Sequence, residues 1–294
     1  MENNLQSARA LYRSIANQIH QIRNDTYEKE ESLQIASILL EHQLNLRRND
    51  LLTDKQIRIE ESDREAIENA ISRLANYEPI QYIVGEADFY GRRYKVDPSV
   101  LIPRRETEEL VYHILQKYKG KKGLRVLDIG TGSGCIAITL QQELEGAFVH
   151  AIDISQAALS TAKENALINN ATIHWDHLDI LKDKPSGETY DVIVSNPPYV
   201  LRNEIHKMNR NVIDNEPHTA LFVDDSKPMT FYDRIINLCA EGNLLNYEGV
   251  VFFEINQLYG DNVVELLERQ HFSDISLQKD MQKSDRFVSA KRVN

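Results

Sequence analysis

Leu33, Ala36, Leu40 and Leu44 recur at three- and four-residue spacing, which lays a single apolar stripe along a helix. The pattern runs from Leu5 to Tyr77 without a glycine or proline, and predicts a small all-helical domain. The texture changes at the first proline, Pro79, and the first glycine, Gly85. There Ile80-Gln-Tyr-Ile-Val-Gly85 and Tyr94-Lys-Val96, on either side of Phe89-Tyr-Gly91, predict a β-hairpin linker. Arg105 to Tyr118 reads as the first helix of a second domain.

Beyond it, apolar runs alternate with helical segments. Strands are expected at Leu124 to Ile129, Phe148 to Ile154, Thr172 to Asp179, Tyr190 to Ser195 and Gly249 to Ile255, with a helix over Ser155 to Asn169. Ile275 to Leu277 and Arg286 to Lys291 read as an antiparallel pair closing the sheet. The expectation is an α/β, Rossmann-like fold whose mostly parallel, doubly wound sheet ends antiparallel. The chain divides as 1–78 helical, 79–104 hairpin linker and 105–294 α/β domain. No internal repeat or low-complexity segment stands out.

Composition narrows the class. With 294 residues, 41% apolar and 27% charged, the chain can bury two cores. No apolar stretch approaches membrane-spanning length, and Met1-Glu-Asn-Asn-Leu-Gln lacks the basic and apolar regions of a signal peptide, so a cytoplasmic location is expected. Cys135 and Cys239 fit reduced thiols better than a disulfide framework. Cys135 opens a helix, where a thiol pKa can fall, but a packing role is the preferred reading. The net charge of −11 weighs against a large nucleic-acid footprint without excluding one. Arg92-Arg93, Arg104-Arg105 and the lysines from Lys117 to Lys122 read as solvated faces.

Two motifs carry chemistry. The strand ending at Ile129 breaks into Gly130-Thr-Gly-Ser-Gly134 before an apolar helix start. Glycines let backbone approach a ligand closely, and the helix N-terminus presents free N–H groups. The spacing Gly-x-Gly-x-Gly departs from the dinucleotide fingerprint Gly-x-Gly-x-x-Gly and favours a nucleoside without a pyrophosphate. Asp153, ending the second strand, is placed to accept hydrogen bonds from ribose hydroxyls. The second motif, Asn196-Pro-Pro-Tyr199, ends the strand from Tyr190. An amide or exocyclic nitrogen is a poor nucleophile, so a site that uses one must hold its hydrogens and aim its lone pair. The Asn196 side-chain oxygen can accept one hydrogen and the Pro197 carbonyl the other, while Pro197 and Pro198 stiffen the backbone. Tyr199 offers a flat face to a planar amide or base. Both motifs fall at strand carboxyl ends, where open α/β sheets bind ligands.

Asp128-Ile-Gly-Thr-Gly-Ser-Gly134, Asp153 and Asn196-Pro-Pro-Tyr199 together resemble class I S-adenosylmethionine-dependent methyltransferases that modify planar amino groups. More narrowly, the chain resembles the release-factor glutamine methyltransferases. That match is carried by Glu78-Pro-Ile-Gln-Tyr-Ile-Val-Gly-Glu-Ala-Asp-Phe-Tyr-Gly91, Val100-Leu-Ile-Pro-Arg-Arg-Glu-Thr-Glu108, Asn215-Glu-Pro-His-Thr-Ala-Leu221 and Asp285-Arg-Phe-Val-Ser-Ala290. The resemblance implies S-adenosylmethionine over Gly130, Thr131, Gly132, Ser133 and Gly134, with its ribose on Asp153, Asn196 bordering it, and S-adenosylhomocysteine as product. It implies that the corner at Asp179 and Ile180 touches the adenine, although a turn aspartate is an equal reading of Asp179. The substrate would be the glutamine of the Gly-Gly-Gln motif of peptide-chain release factors, held by Asn196, Pro197, Pro198 and Tyr199. The helical domain would help grip that protein, with no direct nucleic-acid contact, no membrane and a monomer as the default.

Phe89 and Arg104 are candidates to border the cofactor or substrate, and Glu216-Pro217 either anchors a loop or lines the substrate channel. His174 and His177 stand three apart in an expected strand and face opposite ways, so no metal site is expected. The chain departs from the family pattern in three places: Arg105 replaces a proline in the Pro103-Arg-Arg-Glu-Thr107 string, Phe222-Val-Asp-Asp-Ser-Lys227 replaces a glycine-rich turn, and Asn256 replaces a glycine. A methyltransferase of adenine or guanine amino groups is the nearest rival function, and a non-catalytic binding module the other.

Overall fold

A computed structural model describes residues 5–23, 26–53, 55–185, 189–241 and 244–293. The chain forms two compact units, Met1–Gly85 with Met208–Asn215, and Glu86–Lys207 with Glu216–Asn294.

In the first unit, helices Ala8–Ile22, Lys29–Leu44 and Glu61–Ala75 turn their apolar stripes onto a core that includes Ile19, Leu39, Leu40 and Leu74. A short antiparallel pair, Leu5–Ser7 with Gln56–Arg58, joins them, which helical spacing did not signal. Ile80–Val84 is a helix, not the hairpin strand its apolar run predicts. Pro79 at φ −61° starts it, and Gly85 in the left-handed region ends it, its N–H donating to the Gln81 carbonyl at 2.8 Å. Residues 208–215 return to this unit, where Asn215 Nδ2 donates to the Tyr77 carbonyl at 2.8 Å and Arg210 lies over the Tyr77 ring.

The second unit begins with a hairpin, Glu86–Phe89 paired with Arg92–Lys95, and then builds a seven-stranded sheet. Its strands are β1 (Arg125–Ile129), β2 (Phe148–Asp153), β3 (His174–His177), β4 (Tyr190–Ser195), β5 (Leu245–Glu254), β6 (Ser273–Lys279) and β7 (Asp285–Lys291). The spatial order is β6-β7-β5-β4-β1-β2-β3. β1 to β5 run parallel, and β7 is antiparallel to both β5 and β6. Along β4 alternate side chains face opposite ways: Ile193 joins a core with Tyr232 and Phe253, while Val192 and Val194 join another with Leu110 and Ile136. Both faces are therefore covered, as a parallel sheet requires. Strand order reverses between β1 and β4, opening a crevice at their carboxyl ends. Ser195 Oγ closes its floor by donating to the Ile129 carbonyl at 2.7 Å.

Candidate active site

The glycine loop leaves β1 and turns back over β2, where the N–H groups of Gly130 and Thr131 donate to the Ile152 carbonyl at 2.9 and 3.1 Å. A side chain at Gly130 or Gly132 would meet nothing, so the loop leaves open space there. Gly134 differs: at φ +80°, a Cβ would sit 3.1–3.2 Å from Ile138, Ala162 and Trp175. It is the close-packing point of helix Cys135–Glu143 on its neighbours. Gly134→Ala combines backbone strain with crowding and is expected to destabilise the fold by about 2 kcal/mol, read as a lower urea midpoint at unchanged slope.

Buried polar groups hold the loop from below. Asp128 Oδ2 accepts from Thr131 Oγ1 at 2.6 Å, and burial pushes this carboxyl up to about 7. Asn165 Nδ2 donates to the carbonyls of Ser133 and Lys95, both at 2.9 Å, while its Oδ1 accepts from Lys95 N at 2.6 Å. One amide thus ties the loop to the hairpin. Asp153 Oδ2 accepts from Gly132 N and Oδ1 from Ser155 N, each at 2.8 Å. Burial raises its carboxyl pKa even against these backbone donors. Asp179 Oδ2 pairs with Lys182 Nζ at 2.8 Å and Oδ1 accepts from Leu181 N at 3.1 Å; the Lys182 hydrogen bond leads in lowering its pKa.

A cavity of about 350 Å³ opens over the strand ends. Gly130, Thr131, Gly132, Asp153, Asp179, Ile180, Asn196, Pro197 and Pro198 line it; Ser133, Gly134 and Tyr199 do not. The Tyr199 ring packs against the core under helix Thr230–Ala240, and its hydroxyl donates to Glu254 Oε1 at 3.0 Å. It braces the motif from beneath. Asn196 Nδ2 donates to Thr107 Oγ1 at 3.2 Å, and Thr107 Oγ1 donates to Glu254 Oε2 at 2.7 Å. Glu254 is 1% exposed, with its pKa raised by burial.

The remaining sequence candidates separate cleanly. Arg104 lines the cavity and pairs with buried Glu216, whose Oε2 also accepts from Ile102 N at 3.3 Å. Glu216 is thus the loop anchor, and Pro217 lines the cavity. Phe89 lies buried in the core, edge-on to Tyr94, away from the cavity. Burial pushes the Cys135 thiol up to about 12, which leaves it a packing group. Arg105, replacing a family proline, is the first residue of helix Arg105–Lys117, where proline is favoured but not required. Asn256 does not use a left-handed backbone; its Nδ2 donates to the Tyr199 carbonyl at 3.2 Å.

Thr107, Asp128, Asn165 and Glu254 were not picked out as site residues from sequence. Thr107 and Asp128 stand inside quoted motifs, and the missing signal was their partners. His150, His174 and Asp176 also converge, with candidate ligand atoms within 4.8 Å of one another, as neighbours across β2 and β3. His150 is already held on both ring nitrogens, by the Tyr190 hydroxyl and by Asp176 Oδ2 at 3.0 Å. Cross-strand register, invisible to spacing, assembles this group.

The parallel sheet with its β7 reversal, glycine loop and Asn-Pro-Pro-Tyr end define a methyltransferase. Residues 106–219 match the methyltransferase small domain family and residues 19–85 the PrmC N-terminal domain family. A solved methyltransferase from Pyrococcus furiosus shares the fold, with TM-score 0.50 and 17% identity over 77% of this chain and 100% of that one. A release factor glutamine methyltransferase from Flavobacterium psychrophilum is 40% identical over 95% of this chain and 98% of its own length. Another, from Bacteroides thetaiotaomicron, is 42% identical over 93% and 98%. The chain belongs to the release factor glutamine methyltransferase family.

Proposed function

We propose that this protein transfers a methyl group from S-adenosylmethionine to the side-chain amide nitrogen of the glutamine in the Gly-Gly-Gln motif of peptide-chain release factors. The observation that carries the reading is Asn196, whose Nδ2 is committed to Thr107 while the residue lines a cavity shared with the glycine loop and Asp153.

The open space at Gly130 and Gly132 suits close approach of a nucleoside, and Asp153, a carboxylate at the cavity, retains acceptor capacity beyond its backbone donors for a ribose hydroxyl. Asp179 and Ile180 border the adenine in this reading. S-adenosylmethionine supplies an electrophilic methyl group on a sulfonium sulfur. Asn196 Oδ1 and the Pro197 carbonyl accept the two amide hydrogens and turn the nitrogen lone pair toward that methyl, with Pro198 and Tyr199 holding the turn. The new N–C bond forms as the C–S bond breaks, giving S-adenosylhomocysteine, and the amide then releases a proton to water. Position and electrostatics are the protein's contribution. The helical unit grips the release factor, and the enzyme works in the cytoplasm as a monomer. Among the described residues no helix is long and apolar enough to cross a membrane.

The test offers labelled S-adenosylmethionine with purified release factors in one arm and nucleic acid in the other, followed by peptide mapping. Label on the glutamine is expected; label confined to nucleic acid overturns the reading.

A further inference from the structure

Asn196 has two nearly isosteric ends, an oxygen that accepts and an NH₂ that donates, and only one of them suits a substrate that must give up hydrogens. Its orientation is set two residues away. Glu254 closes β5, and Thr107 is the third residue of helix Arg105–Lys117; both are buried. Glu254 uses Oε2 to accept from Thr107 and Oε1 to accept from Tyr199. Burial raises the Glu254 pKa, while the hydrogen bonds it accepts from Thr107 and Tyr199, and then the charge of Arg286 on the neighbouring strand β7, work against that rise and favour the acceptor form.

A hydroxyl carries a single hydrogen. Thr107 directs its hydrogen to Glu254, so toward Asn196 it can only accept. The end of Asn196 that meets it must then be the NH₂, which leaves Oδ1 as the end turned elsewhere. We propose that Thr107 and Glu254 are positioning residues that fix the amide of Asn196 with its oxygen as the acceptor of the clamp, and so restrict the site to donors bearing N–H hydrogens. The inference deepens the function proposed above and rests on it.

Thr107→Val keeps the shape and removes the hydroxyl; Thr107→Ser restores it. Kinetics on purified release factor are paired with calorimetric S-adenosylmethionine binding. For Thr107→Val, kcat is expected to fall about 10-fold or more, with cofactor Kd within about 2-fold of wild type, as for loss of a contact expressed at the reacting group. Thr107→Ser is expected to recover kcat to within about 3-fold, which a purely steric role would not require. Glu254→Gln, which replaces one acceptor with a donor, is expected to reproduce the kcat loss and provides a second route if Thr107→Val folds poorly. Wild-type turnover in the folded variants, or cofactor affinity lost in proportion to kcat, overturns the inference. A wild-type protein that leaves the glutamine unmodified overturns the function itself and this inference with it, so the two failures are distinguishable.

Discussion

Asn196→Ala is expected to lower turnover about 100-fold while leaving S-adenosylmethionine affinity close to wild type, the scale set by deleting one preorganised polar contact at a reacting group. The substitution removes the acceptor for one substrate hydrogen. It leaves the rest of the support in place, because Thr107 still donates to Glu254 and Tyr199 still donates to the other carboxylate oxygen. No charge is stranded, so the fold is expected to survive. Single-turnover rates at saturating cofactor, beside a calorimetric Kd, separate the two effects. Parallel loss of rate and cofactor affinity would show that Asn196 serves the cofactor and not the amide.

Asp153→Ala is expected to act on the other ligand, weakening S-adenosylmethionine binding about 10- to 100-fold, which corresponds to losing a hydrogen bond to a charged acceptor. The carboxylate also holds the N–H groups of Gly132 and Ser155, so its removal loosens the loop as well as the ribose contact. Asp153→Asn separates these roles, since one acceptor oxygen remains. It should bind better than the alanine variant and worse than wild type. Equal affinity of wild type and Asp153→Ala, by calorimetry, would remove Asp153 from the ribose.

What was legible in the sequence lies on contiguous stretches. The run from Leu124 into Gly134, the strand ending at Asp153 and the strand ending at Asn196 each carry element and chemistry together, because local periodicity and turn residues act within a few positions. The antiparallel close of the sheet was readable for the same reason. What escaped depends on which strands become neighbours. Thr107 meets Glu254 across 147 positions, and Asn165 meets Lys95 across 70. His150 meets Asp176 only because β2 and β3 pair in one particular register. A short apolar run such as Ile80–Val84 serves a buried helix or strand equally, and its end residues decide for the helix. The Tyr199 hydroxyl likewise meets a carboxylate on another strand, 55 positions further on.

The separation between Thr107 and Glu254 also orders events during synthesis. The polar groups that hold the glycine loop from below, from Lys95 and Asp128 to Asn165, lie in the first 165 residues. Asn196 follows, but the carboxylate that gives its hydrogen-bond chain a direction arrives only with β5, and its arginine neighbour only with β7. A nascent chain therefore holds the parts of the nucleoside cradle well before those of the amide clamp, and competence to select a substrate is among the last properties the polypeptide acquires.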